Sequence, residues 1–275
     1  MTRPIVAIMY DFDKTLCTKD MQEYAFIPAL GIDATTFWKE ANKLTDDQEM
    51  DNVLAYMFKM VEEAKEKKVR IKRKTFQKMG KKIEYFDGVE TWFERINKYG
   101  QKAGVRIEHY IVSSGIKEII EGTEIAKYFK KIYACEFMYD YNDTILWPKF
   151  AVNYTTKTQF LFRINKGVLA IDSKSAEKLN RFTPDDERRV PFRNMIYIGD
   201  GLTDVPCMKL VKTNGGQSIA VYDEDKSKEA VQALKKAGRV NFVAAADYGQ
   251  GSDIETIVKS IIKKIQAVEE MQSHQ

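Results

Sequence analysis

A chain of 275 residues with 44% hydrophobic content can bury one large core, or a core and a smaller second unit. Its charged fraction of 31% and net charge of +4 describe a mildly basic protein without the strongly basic balance that marks nucleic acid as a main partner. The three cysteines, Cys17, Cys135 and Cys207, are odd in number and lack metal-ligand spacing; no apolar run reaches the roughly 20 residues of a membrane span, and aspartates stand where a signal peptide needs its cleavage site, so no membrane partner and a reducing, cytoplasmic setting are expected.

The first element is Ile5-Val-Ala-Ile-Met-Tyr10, an apolar run that stops at Asp11-Phe-Asp-Lys-Thr15. Such a run reads as a strand buried on both faces. Glycine is then nearly absent from about 20 to 82. Phe37, Ala41 and Leu44 fit one helical face, and Val53, Met57, Met60, Val61 and Ala64 fit another, with Pro28 and Gly31 as punctuation. A separate, mostly helical insertion over 17–86 is expected, between core segments 1–16 and 87–275. Its basic run at 65–74 reads as a solvated helix end or turn.

From Gly88 onward strands and helices alternate. A helix is expected over 89–99, a strand over 105–112 ending in Ser113-Ser114-Gly115, a helix over 116–129 and a strand over 131–137. A β-hairpin is expected over 136–150. Thr155-Thr156-Lys157 offers a cap for a helix bearing Phe160, Leu161 and Ile164 and closed by Gly167. Residues 168–193 carry little periodicity, although Thr183-Pro184-Asp185-Asp186 reads as a helix start that Pro191 stops. A strand over 195–198 runs into Gly199-Asp200-Gly-Leu-Thr-Asp204. Strands at 217–222 and 240–244 flank a helix at about 226–237. A terminal helix covers 254–265, with fraying from Glu269. The alternation predicts an α/β fold: a Rossmann-like, doubly wound parallel sheet with helices on both faces, a mostly α-helical cap and the hairpin excursion.

Taken singly, the polar stretches have ordinary readings: a hydrogen-bonded turn at Asp11–Asp13, a turn or helix cap at 113–115, an exposed lysine at 157, a tight turn at 199–204. In a parallel sheet, however, every strand end falls on one edge, so Asp11, Asp13, Ser113, Asp200 and Asp204 converge there. Carboxylates without histidine or cysteine suit Mg²⁺. A serine hydroxyl, a lysine and backbone N–H groups at a helix start suit phosphoryl oxygens.

In chain order, Asp11-Phe-Asp-Lys-Thr15, Ser113, Lys157 and Gly199-Asp-Gly-Leu-Thr-Asp204 resemble the four motifs of the haloacid dehalogenase superfamily of phosphohydrolases, and the helical block resembles the cap of its phosphoserine-phosphatase-like branch. The resemblance implies a Mg²⁺-dependent phosphatase acting on a small phosphorylated metabolite. Asp11 would be the nucleophile and Asp13 the acid and base. Ser113, with Ser114 and Gly115 beside it, and Lys157 would hold the phosphoryl group, and Asp11, Asp13 (by its backbone carbonyl), Asp200 and Asp204 would form the metal site. Asp13 argues against a dehalogenase, which has no leaving oxygen to protonate; a phosphotransferase or mutase and a non-catalytic phosphate-binding protein are the alternatives. Asp20 stands either as a helix N-cap or, by the same resemblance, as a contact to a substrate amino group.

Overall fold

The computed structural model describes residues 3–185, 187–223 and 228–272. Among these, seven strands form one sheet in the order β4-β3-β2-β1-β5-β6-β7: β1 (Ile5–Tyr10), β2 (Arg106–Ile116), β3 (Phe129–Tyr139), β4 (Ile145–Phe150), β5 (Met195–Gly199), β6 (Gln217–Tyr222) and β7 (Phe242–Ala245). All neighbours pair in parallel except β3 and β4. The expected α/β class and parallel sheet are therefore present. β1 is central because Val6 to Tyr10 are fully buried, a pattern that needs packing on both faces. The chain fills one side of the sheet through β4 and then returns beside β1 with β5. A topological switch point thus opens between the carboxyl ends of β1 and β5, where open α/β sheets bind ligands.

The helices that follow β1 are α1 (Phe26–Ala29), α2 (Ala34–Gln48), α3 (Asn52–Glu66) and α4 (Arg73–Met79); the later ones are α5 (Val89–Lys102), α6 (Lys117–Glu121), α7 (Tyr154–Lys166), α8 (Ser173–Asn180), α9 (Val205–Thr213), α10 (Lys228–Lys236) and α11 (Asp253–Gln272). Helices α2 and α3 begin where Asp33 and Asp51 accept backbone N–H groups, which satisfies donors a helix start leaves unpaired. The insertion is not packed as an island. Phe76 of α4 stacks on Phe137 of β3 at 5.5 Å, and Phe58 of α3 meets Trp147 of β4 edge-on at 6.0 Å. Phe37, Met57 and Phe76 belong to the same continuous core as Ile8. The basic run spans the exposed turn between α3 and α4.

Several expectations shift on the structure. Ser113, Ser114 and Gly115 do not follow the strand but lie inside β2, where the pairing to β3 slips between Val112 and Ile116. The helix expected over 116–129 is broken: α6 ends at Glu121, a short 3-10 turn covers Glu124–Tyr128, and β3 begins at Phe129. The break falls at Gly122, whose missing Cβ leaves room for the Gln77 backbone. The hairpin is present, pairing Glu136 with Phe150. No helix starts at Thr183 (Asp186 lies outside the described residues); the segment instead forms α8, capped by the Asp172 side chain on Ser175 N–H at 2.7 Å. The first two residues expected in the helix at 226–237 also lie outside the described residues. The last helix continues to Gln272 rather than fraying at Glu269, because that carboxylate is held by Arg193 and Asn194.

At the opposite edge of the sheet, Glu108 is a structural anchor. It accepts two hydrogen bonds from Arg189 at 2.6 and 2.9 Å and one from Tyr110 at 2.6 Å, with Arg106 and Lys130 within 3.3 Å. Burial alone would raise this carboxyl, but the hydrogen bonds and the charge of Arg189 outweigh it and bring the pKa down to about 2. A folded pKa below the unfolded one stabilises above the unfolded value of roughly 4.5 and is lost as pH falls toward 2. Glu108→Gln is expected to cost on the order of 2–3 kcal/mol at pH 7 and to flatten the acid limb of stability between about pH 4.5 and 2. Urea unfolding midpoints against pH measure both effects; an unchanged acid limb would remove the assignment.

Candidate active site

The site is assembled at the switch point. Asp11 leaves the end of β1 and is tied to β5 by its backbone N–H, which donates to Ile198 O at 2.9 Å. One oxygen of its carboxylate accepts from Phe12 N–H at 2.7 Å, and the other lies 3.0 Å from Lys157 Nζ. Lys157 comes from the first turn of α7, which is capped by Asn153, not by a threonine: Asn153 Oδ1 accepts from Thr156 N–H at 3.1 Å and its hydroxyl at 2.6 Å. The same Asn153 donates to Asp51 at 2.8 Å, joining the start of α7 to the start of α3.

A cation in the first turn of a helix opposes the helix dipole, and this one is also fully buried. Two carboxylates compensate. Lys157 donates to Asp204 at 2.7 Å as well as pairing with Asp11. Burial favours the neutral amine, but the charges of Asp11 and Asp204 outweigh it and raise the Lys157 pKa. Asp204 also accepts from the Tyr197 hydroxyl at 2.7 Å and from Gly201 N–H at 3.3 Å. Gly199 permits this approach, since a Cβ there would lie 2.6 Å from the Asp204 carboxyl carbon.

Asp11, Asp200 and Asp204 each place an oxygen within 4.8 Å of the others. Burial, then the charges of Asp204 and Asp11, push Asp200 well above the usual carboxylate range. Burial and the charge of Asp11 raise Asp204 to about 6 against the pull of Lys157. Three carboxylates facing one ammonium leave uncompensated negative charge in a buried place, and an oxygen-only donor set of this kind can hold a metal cation. The Asp13 side chain is not in the group. It accepts from Met21 N–H at 2.9 Å, so a metal contact from this residue would fall to its backbone carbonyl. Burial, with Asp20 and Asp11 nearby, holds the Asp13 carboxyl well above its ordinary range.

Ser113 is fully buried, and its oxygen accepts from Gly115 N–H at 3.1 Å, which leaves its O–H free to donate. Gly115 is tight against this corner: a Cβ would collide with the Met21 side chain and lie 2.9 Å from an Asp13 oxygen. Asp20 precedes a three-residue 3-10 turn without capping it; its carboxylate pairs with Lys14 at 2.5 Å. Lys14 itself is left-handed, at φ 54°, as the chain turns sharply after β1. A cleft of about 330 Å³ opens over Asp11 and is lined also by Asp13, Ser113, Ser114 and Asp200. Lys14, Asp20 and residues 201–203 border it as well, together with Gln22, Trp38, Tyr56 and Tyr154, and none of these last four was expected. The three aromatic residues lie outside the apolar helix faces read from the sequence; the Tyr56 hydroxyl, which donates to Ser114 O at 2.5 Å, and Asn52, which donates to the Tyr154 hydroxyl at 3.1 Å, bring α3 to the site.

The model of the haloacid dehalogenase-like hydrolase family matches residues 8–209. An uncharacterized protein of Borreliella burgdorferi is 29% identical over 91% of this chain and 94% of its own length. A substrate-bound phosphoserine phosphatase complex superposes with TM-score 0.57 at 13% identity, covering 94% of this chain and 99% of that one. A probable phosphoserine phosphatase from Vibrio cholerae gives TM-score 0.59 at 11% identity over 98% of this chain and 67% of that one. At these identities the two structures establish a shared fold. No described helix is long and apolar enough to cross a membrane, and the three cysteines are free and buried.

Proposed function

Since the chain belongs to the haloacid dehalogenase-like hydrolase family, we propose that it is a Mg²⁺-dependent phosphatase that hydrolyses a small phosphomonoester through an aspartyl-phosphate. The observation that carries this is the buried set Asp11–Lys157–Asp204 beside Asp200 at the floor of a cleft. A carboxylate nucleophile, a fixed cation and spare anionic charge are what phosphoryl transfer requires. Three free thiols fit a cytoplasmic setting.

Asp11 attacks phosphorus as the bond to the substrate's alcohol oxygen breaks. Asp13, whose buried carboxyl holds a proton well above the usual range, protonates that oxygen. It then takes a proton from the water that attacks the phospho-enzyme, releasing inorganic phosphate and restoring Asp11. The Ser113 hydroxyl donates to the transferring phosphoryl oxygens, and Lys157 offsets their charge. Asp11, Asp200 and Asp204 would hold Mg²⁺ by carboxylate oxygens, with Asp13 contributing its carbonyl. When bound, the ion supplies neutralisation between an anionic nucleophile and an anionic substrate. Helices α1–α4, within 17–86, act as the cap: α2 and α3 contribute Trp38 and Tyr56 to the cleft wall.

Purified protein is expected to release p-nitrophenol from p-nitrophenyl phosphate with Mg²⁺. Chelation by EDTA should lower that rate roughly a hundredfold or more, and added Mg²⁺ should restore it. Hydrolysis indifferent to chelator would count against the metal assignment, and no phosphate release from any ester would count against the activity.

A further inference from the structure

The cleft wall carries a charge pattern that selects the other half of the substrate. Besides the floor residues, the cleft is lined by Asp20, Gln22, Trp38, Tyr56, Ser114 and Tyr154. It offers no unpaired cation among the described residues. Lys14, the cation in its lining, is engaged by Asp20 at 2.5 Å, and Lys157 is held by Asp11 and Asp204. Lys19 has no carboxylate partner among the described residues, but it lines the adjoining cleft and not this one.

The wall's unpartnered polar groups are neutral. Gln22 is only 2% exposed and its carboxamide oxygen has no hydrogen-bond partner; the Ser114 hydroxyl oxygen is likewise buried and unpartnered. A buried polar atom left in this state costs free energy until something bonds to it. Either orientation of the Gln22 carboxamide presents a donor and an acceptor side by side. Beside these groups, Trp38 and Tyr56 pack edge to face with ring centroids 5.8 Å apart, presenting apolar surface.

We propose that the alcohol half of the substrate is neutral and hydroxyl-bearing, a polyol or sugar phosphate, in place of the amino acid that the phosphoserine phosphatase neighbours act on; this rests on the phosphatase reading above. A carboxylate brought into this cleft finds no cation to pair with, and burying it unpaired is costly. An ammonium group finds Asp20, the carboxylate of the wall, already engaged by Lys14, and Glu23 of the adjoining cleft engaged by the Trp38 indole N–H at 2.8 Å, while the floor carboxylates are those assigned above to the metal and to proton transfer. Hydroxyl groups satisfy the Gln22 and Ser114 atoms in either sense, while C–H faces cover the aromatic edges.

The test is a comparison of kcat/KM, at one Mg²⁺ concentration, for p-nitrophenyl phosphate, glycerol phosphates, hexose and pentose phosphates, O-phosphoserine and phosphocholine. At least one polyol or sugar phosphate is expected to exceed both phosphoserine and phosphocholine by about tenfold or more. Gln22→Ala and Ser114→Ala are each expected to lower the ratio of that substrate to the aryl phosphate, by about tenfold for Gln22. Because the ratio is taken within one preparation, partial misfolding of a variant cancels. Preference for phosphoserine or phosphocholine, or ratios unmoved in both variants, overturns the inference while aryl phosphate hydrolysis persists. Failure to hydrolyse any phosphate is a different result, which overturns the phosphatase reading and this inference with it.

Discussion

Asp11→Asn is expected to remove phosphate release almost entirely, lowering kcat by roughly four orders of magnitude or more, because an amide oxygen cannot replace the attacking carboxylate. The change is nearly isosteric, and the oxygen that accepts from Phe12 N–H can be kept. Lys157 retains Asp204 at 2.7 Å as its partner, so the fold has no new unpaired cation. Removing one of three clustered carboxylates also relieves repulsion, and the thermal midpoint should hold or rise. The pairing of lost activity with retained stability separates a nucleophile from a structural acid. Activity above about one per cent of the parent, in protein with an unaltered melt, would leave the nucleophile assignment without support.

Lys157→Met carries the second large effect, and here stability falls as well. The side chain is fully buried and lies between Asp11 at 3.0 Å and Asp204 at 2.7 Å. Methionine preserves length and apolar packing but removes the charge, leaving buried carboxylates without their compensating cation. Breaking one side of such a pair costs about 3–5 kcal/mol, which for a chain of this size corresponds to a fall in Tm on the order of 10 °C. Phosphate release should be lost together with it, since the fixed ammonium proposed to offset the charge on the phosphoryl oxygens is gone. Added Mg²⁺ is expected to return part of the stability by binding the folded state alone. A Lys157→Met protein that melts with the parent would show that the ion pair contributes nothing to the fold.

These two positions differ in how they could be read. Asp11 follows an uninterrupted apolar run, and that run has one physical outcome: a strand buried on both faces whose polar successor emerges at the sheet edge. Asp200 follows the same rule after β5. Lys157 has no comparable local signal. A lysine in a first helical turn is ordinarily solvated, and only its two carboxylate partners, 146 residues before and 47 after it in the chain, account for its burial. Residues 116–129 show the complementary failure: their apolar spacing suits a helix, yet the helix stops at Gly122 because the Gln77 backbone occupies the space beside it. Residues 113–115 were legible as polar groups near a strand end but not as part of the strand, because β2 extends through them only by a slipped pairing with β3.

The order of the strands, the burial of β1, the hairpin and the convergence of Asp11, Asp13, Ser113 and Asp200 on one edge follow from periodicity and from the rule that parallel strands end together. Those are consequences of local pattern repeated along the chain. The Tyr197–Asp204–Lys157–Asp11 chain of contacts, the turn of the Asp13 side chain toward Met21, and the neutral wall of Gln22, Trp38, Tyr56 and Ser114 were decided only by the tertiary structure. Each depends on which distant side chains are left to satisfy a buried charge or hydrogen bond, and that is set by packing across the whole sheet, not by neighbours in sequence.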